Sequence, residues 1–111
     1  LITGYGTDQY IHDYESEVGK PWVEEDLARY IELSFPFFHA DRIQTPTLFL
    51  CGEQDFNVPL VNSEQMYMAL KSLEIPTELV IYPGQYHWPS VPSYMEDLMV
   101  RWITWYDAYL K

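Results

Sequence analysis

The chain has 111 residues, 48% of them hydrophobic, which fits one globular domain at most and excludes a multidomain architecture within this stretch. Six Lys and Arg stand against seventeen Asp and Glu, a formal charge of −11. That balance excludes nucleic acid as a partner, because affinity for a phosphate backbone rests on clustered cations.

No apolar run approaches the roughly 20 residues of a membrane helix, so no membrane segment is expected in this chain. The single Cys51 excludes an internal disulfide framework and any cysteine-based zinc cluster. Aromatics are abundant at 17%, and such rings suit a core or a substrate pocket. The chain opens on Leu1 rather than Met, so it is expected to be part of a longer polypeptide.

In chain order, Thr7 to Glu17 reads as a short helix opened by Thr7 or Asp8. Gly19-Lys20-Pro21 breaks it. Val23 to Leu33 reads as a second helix, with Leu27, Tyr30, Ile31 and Ser34 on one side. Glu24, Glu25 and Asp26 near its start complement the helix macrodipole. Ser34-Phe35-Pro36 ends it, since a residue before proline avoids the α region.

Thr47 to Cys51 is a nearly continuous apolar run between Pro46 and Gly52. Continuous apolarity suits a parallel strand covered on both faces. Asn62 to Leu73 reads as a helix capped by Asn62 with Gln65 three residues on, its stripe being Met66, Ala69, Leu70 and Leu73. Glu78 to Tyr82 is a second strand, closed by Pro83-Gly84. Ser93 to Glu96 has the form of a capping box. It opens a long helix with Met95, Leu98, Met99, Trp102, Ile103, Tyr106 and Leu110 on one face.

Strand, helix and strand over roughly 35 residues make a βαβ unit, so the fold class is α/β with a mostly parallel sheet flanked by helices. Two strands are too few for a stable sheet covered on both faces, a second reason to expect further sequence upstream.

Ligands of open parallel sheets sit beyond the carboxyl ends of the strands. Two polar loops leave those ends: Gly52 to Pro59, carrying Asp55, and Pro83 to Trp88, carrying His87. If the strands are neighbours, Asp55 and His87 can touch, and an Asp that holds an imidazole is the orienting half of a nucleophilic triad. A lone loop Asp is more often a turn former, and a lone His more often structural. Position alone leaves both readings open.

The residues themselves add a resemblance. Gly52-Glu53-Gln54-Asp55-Phe56-Asn57-Val58-Pro59, then Ser63-Glu64-Gln65 with Ala69-Leu70-Lys71, then Tyr82-Pro83-Gly84-Gln85-Tyr86-His87, resemble the end of the catalytic domain in the prolyl oligopeptidase family of serine peptidases. The closing Trp105-Tyr106 and Tyr109-Leu110 resemble that family's terminal helix. Gly4-Tyr5-Gly6-Thr7-Asp8, Gly19-Lys20-Pro21-Trp22 and Ser34-Phe35-Pro36 extend the likeness over nearly the whole chain.

The resemblance implies an α/β-hydrolase fold and hydrolysis of short peptides, with Asp55 as triad acid and His87 as general base. It further implies that Asn57 touches a substrate carbonyl and that Val58 walls the pocket before the scissile bond. Tyr10 and Tyr14 are candidates for lining that pocket. The peptide is the expected partner, no metal or organic cofactor is implied, and the oligomeric state stays open.

One part of the pattern is missing. Ser16, Ser34, Ser63, Ser72, Ser90 and Ser93 all lack the flanking glycines of a Gly-x-Ser-x-Gly nucleophile elbow. Residues 1–111 therefore read as a partial α/β-hydrolase catalytic domain. The nucleophile and oxyanion hole are expected upstream, and the isolated chain is expected to be inactive. An esterase using the same two loops, and a non-catalytic interaction module of the same fold, are the alternatives. His12 and His39 lack the helical spacing of a zinc site. Cys51 reads as a buried strand residue, and Trp88, next to His87, as packing or as a flank of the site.

Overall fold

Pro46 and Pro76 each stand just before a strand, and the two strands that follow pair with each other. β1 spans Thr47–Gly52 and β2 spans Thr77–Tyr82. They are parallel, in a register that sets Thr47 opposite Thr77 and Gly52 opposite Tyr82. The computed structural model describes Thr7 and residues 15–110. Before the strands come α1 (Glu15–Val18), α2 (Glu24–Leu33), α3 (Phe35–Phe38) and a 3-10 turn at Ala40–Arg42. α4 (Leu60–Ser72) joins β1 to β2, and α5 (Pro92–Tyr109) closes the order. This is the parallel βαβ unit expected from the sequence, flanked by helices. Of the first expected helix, Thr7 to Glu17, the described residues are Thr7, in a bend, and Glu15 to Glu17, which lie in α1.

Side chains alternate along a strand, and that alternation assigns the two faces of the sheet. Cys51 lies within reach of the Ser63 hydroxyl on α4. Tyr82 and Glu78, on the opposite alternation, bond to Asp97 and Arg101 of α5. The two long helices therefore cover opposite faces. Leu70 of α4 has 0% exposure, and Tyr82 and Leu98 are buried on the α5 side. Among the described residues of the upstream segment, Tyr30 and Ala40 are the buried apolar ones. Tyr30 also donates its hydroxyl to the Gly19 carbonyl at 2.9 Å, which ties α2 to the turn before it.

Four expectations are corrected. α4 starts at Leu60 with Pro59 as its N-cap and no side-chain capping bond, so Asn62 lies within the first turn. α5 starts at Pro92 with Val91 as N-cap, so Ser93 and Glu96 form no capping box. The physical reason at α5 is the proline at its start. Its fixed φ suits a first helical turn, and its missing N–H would be unpaired there anyway. α2 ends at Leu33 as expected, but Phe35, the residue before Pro36, is itself helical and opens α3, with Pro36 in its first turn for the same reason.

The fourth correction concerns which faces are covered. On α5 the residues shielded from solvent are Tyr94, Asp97, Leu98, Arg101, Trp102 and Trp105. Met95, Met99, Ile103, Tyr106 and Leu110 are exposed. The helix is turned so that Asp97 and Arg101 meet polar partners on the sheet. On α2, Tyr30 is buried while Ile31 is exposed. Among the described residues, no helix is long and apolar enough to cross a membrane.

Candidate active site at the carboxyl ends of the strands

β1 ends at Gly52 and β2 at Tyr82, directly opposite each other. The loops that follow leave side by side. The Glu53 N–H donates to the Tyr82 carbonyl at 3.0 Å, and the Gln54 N–H to the Gln85 carbonyl at 2.9 Å. A Cβ on Gly52 would lie 2.0 Å from the Tyr86 carbonyl oxygen. Only glycine admits so close an approach of two backbones. The Glu53 carboxylate adds another tie by accepting the Gly84 N–H at 2.8 Å. Gly84 itself has φ +67°, the left-handed turn conformation that glycine adopts without strain.

On this platform Asp55 and His87 meet. Asp55 Oδ2 lies 3.0 Å from His87 Nδ1. The other carboxylate oxygen accepts the N–H groups of Asn57 at 2.9 Å and Val58 at 2.8 Å. Asp55 is therefore buried, oriented and fully used. Its side chain is 6% exposed, against 62% for His87. An ionised carboxylate only accepts hydrogen bonds, so Nδ1 carries the hydrogen and Nε2 is left with a free lone pair. That is the tautomer a general base needs.

Asn57 and Val58 thus stand beside Asp55 through their backbones, with Asn57 half-buried and Val58 exposed. Tyr10, Tyr14 and His12 lie outside the described residues. Trp88 packs near Trp102 with the rings tilted and their centroids 6.3 Å apart. A cleft of about 230 Å³ begins at His87 and Trp88 and runs between β1 and α5 past Leu50 and Trp102. Cys51 is half-buried, and burial pushes its thiol pKa up despite the Ser63 hydrogen bond. Its thiolate is disfavoured accordingly. His39 packs against Phe35 with tilted rings and centroids 4.2 Å apart.

Three supports of the site were not read from the sequence. They are the Glu53 bond to Gly84, the Gly52 close approach, and the buried amide of Gln85. Gln85 Oε1 accepts the Ser90 N–H at 2.8 Å and the Ser90 hydroxyl at 3.3 Å. Glycine at a strand end next to a polar loop was the available sign for Gly52. The other two depend on contacts between residues that only the fold brings together.

Comparison with known proteins bears on the whole chain. Residues 2–111 match the prolyl oligopeptidase family. The acylamino-acid-releasing enzyme of Arabidopsis thaliana is 32% identical over 87 residues, covering 78% of this chain and 11% of that protein. Dipeptidyl-peptidase 5 of Porphyromonas endodontalis is 27% identical over 94 residues, 84% of this chain and 14% of that protein. The acylamino-acid-releasing enzyme of Homo sapiens is 27% identical over 99 residues, 85% of this chain and 14% of that protein. The chain thus spans between 11% and 14% of the length of these curated relatives. With the match running from residue 2 to the last residue, and a parallel strand pair flanked by helices as α/β-hydrolases have, the chain belongs to the prolyl oligopeptidase family.

Proposed function

We propose that this chain supplies the acid and the base of a serine-peptidase triad that hydrolyses short peptides. The observation that carries the reading is the Asp55–His87 contact at 3.0 Å, with the far carboxylate oxygen fixed by two backbone N–H groups. Relatives named for releasing acylamino acids and for dipeptidyl-peptidase activity support the reaction class. The nucleophile is a serine upstream of Leu1, since no serine of this sequence has the glycines of a nucleophile elbow.

His87 Nε2 takes the proton of that serine as its oxygen bonds to the peptide carbonyl carbon. Asp55 stabilises the imidazolium that forms. His87 then gives the proton to the departing amine as the C–N bond breaks, which leaves an acyl-enzyme. Water, deprotonated by His87, attacks the ester, and the serine leaves with the proton. Asn57 and Val58, two and three residues after Asp55, border the scissile bond, Asn57 at a substrate carbonyl and Val58 at the pocket wall.

Fluorophosphonate labelling of the polypeptide as its gene encodes it tests this. One upstream serine is expected to label, and His87→Ala to abolish both labelling and turnover of short peptide substrates. The isolated 111-residue chain is expected to stay unlabelled. Labelling of any serine within it would overturn the assignment.

A further inference from the structure

His87 sits on a loop without regular structure, and its side chain is 62% exposed, so packing does not hold the ring in place. Among the described residues its ring is hydrogen-bonded to Asp55. The direction from which it reaches Asp55 is set by the backbone of residues 85–90. That backbone is organised around Gln85, which is only 8% exposed.

Gln85 works in three directions. Its N–H donates to the Tyr82 carbonyl at 3.3 Å, anchoring the loop to the end of β2. Its carbonyl accepts the Gln54 N–H at 2.9 Å, one residue before Asp55. Its side-chain oxygen accepts both the N–H and the hydroxyl of Ser90, three residues beyond His87. The histidine is thus the exposed apex of a loop closed underneath by one buried amide. The same residue ties this loop to the loop that carries the acid.

We propose that Gln85 is a positioning residue for His87, holding the imidazole at the height where Nδ1 meets Asp55. The inference rests on the reading of Asp55 and His87 as acid and base. A clamp that served folding alone would change the melting temperature and leave turnover per folded molecule untouched. A positioning clamp moves turnover, because reacting groups must be held within about 0.5 Å of the productive geometry.

The test uses the polypeptide as its gene encodes it, with Gln85→Met and Gln85→Glu. Methionine keeps the length and loses the strong acceptor, whereas glutamate keeps an oxygen for Ser90. Three quantities are read: peptide turnover, thermal unfolding, and the downfield NMR signal of the His87 Nδ1 proton. Gln85→Met is expected to lower kcat by about tenfold or more with KM within about twofold, and to shift or broaden the Nδ1 signal. Gln85→Glu is expected to recover most of kcat.

A folded Gln85→Met protein with wild-type kcat and an unchanged Nδ1 signal would overturn the proposal. So would a Gln85→Glu protein as impaired as the methionine variant. If Gln85→Met does not fold, Gln85→Asn takes its place under the same two criteria, since its amide falls one methylene short of Ser90. If the wild-type protein turns over no peptide, the peptidase reading fails, and the Nδ1 signal still decides the positioning role.

Discussion

Gly52 and Gln85 approach so closely that no side chain fits between them: a Cβ on Gly52 would lie 2.4 Å from the Gln85 carbonyl oxygen. The obstacle is backbone, which cannot swing aside as a flexible side chain does. The closeness of the two loops, and with it the Asp55–His87 contact, therefore depends on a missing methyl group.

Gly52→Ala is expected to force the loops apart. The Gln54–Gln85 hydrogen bond lengthens and His87 draws away from Asp55. Overpacking of this kind costs about 1–3 kcal/mol, to be read from the urea midpoint. The downfield Nδ1 signal of His87 should weaken in parallel. An alanine variant with an unshifted midpoint and an intact signal would mean that the loops do not meet as described.

Asp55 does two jobs, and two substitutions separate them. Asp55→Asn keeps an oxygen for the Asn57 and Val58 N–H groups. Its amide nitrogen cannot accept from His87 Nδ1–H, so the imidazole adopts the other tautomer. Turnover is expected to fall on the order of 10⁴-fold with little change in stability. Asp55→Ala also strands the two N–H groups, adding a stability loss of about 1–3 kcal/mol. Steady-state kinetics and urea unfolding of both variants check this. An asparagine variant within about tenfold of wild type would remove Asp55 from the triad.

The strands and their loops were legible in the sequence because their signs are local. Pro46 and Gly52 bracket one apolar run, Pro76 and Pro83 bracket the other, and the polar loops follow each. Helix starts were less legible. Ser93 with Glu96 has capping-box spacing, but Pro92 satisfies the helix start without any side-chain bond. The covered face of α5 was illegible for another reason. Apolar residues surround that helix, so periodicity selects no single stripe. The choice falls to Asp97 and Arg101, whose partners Tyr82 and Glu78 are on another element. The Gln85–Ser90 brace is likewise a fact of loop closure, which residue types alone do not encode.

Leu70 anchors α4 with 0% exposure, while Met68 on the same helix is 62% exposed. Leu70→Ala is expected to cost about 2–5 kcal/mol, the lost transfer energy plus the cavity left behind. Met68→Ala should stay within about 0.5 kcal/mol. Urea unfolding of the two side by side tests whether Leu70 is the main anchor of α4. Equal losses would contradict it.

The Tyr82–Asp97–Arg101 group makes a prediction at alkaline pH. The buried Tyr82 hydroxyl donates to Asp97 Oδ2 at 3.0 Å, and Arg101 Nε donates to the same oxygen at 2.7 Å. Burial first, and then the Asp97 carboxylate, push the Tyr82 pKa up to about 12. In the unfolded chain a tyrosine titrates near about 10. A raised folded value means that the fold favours the protonated phenol. This contribution is complete below about pH 10 and is lost as the pH climbs towards about 12. Tyr82→Phe removes the hydroxyl and should cost about 1 kcal/mol at neutral pH. Across the alkaline window the wild type is expected to lose that advantage. The other tyrosines ionise in both proteins and cancel in the difference. Stability measured against pH for the pair, alongside phenolate absorbance, reads the effect directly. A difference that stays flat through the window would show that Tyr82 and Asp97 are not coupled.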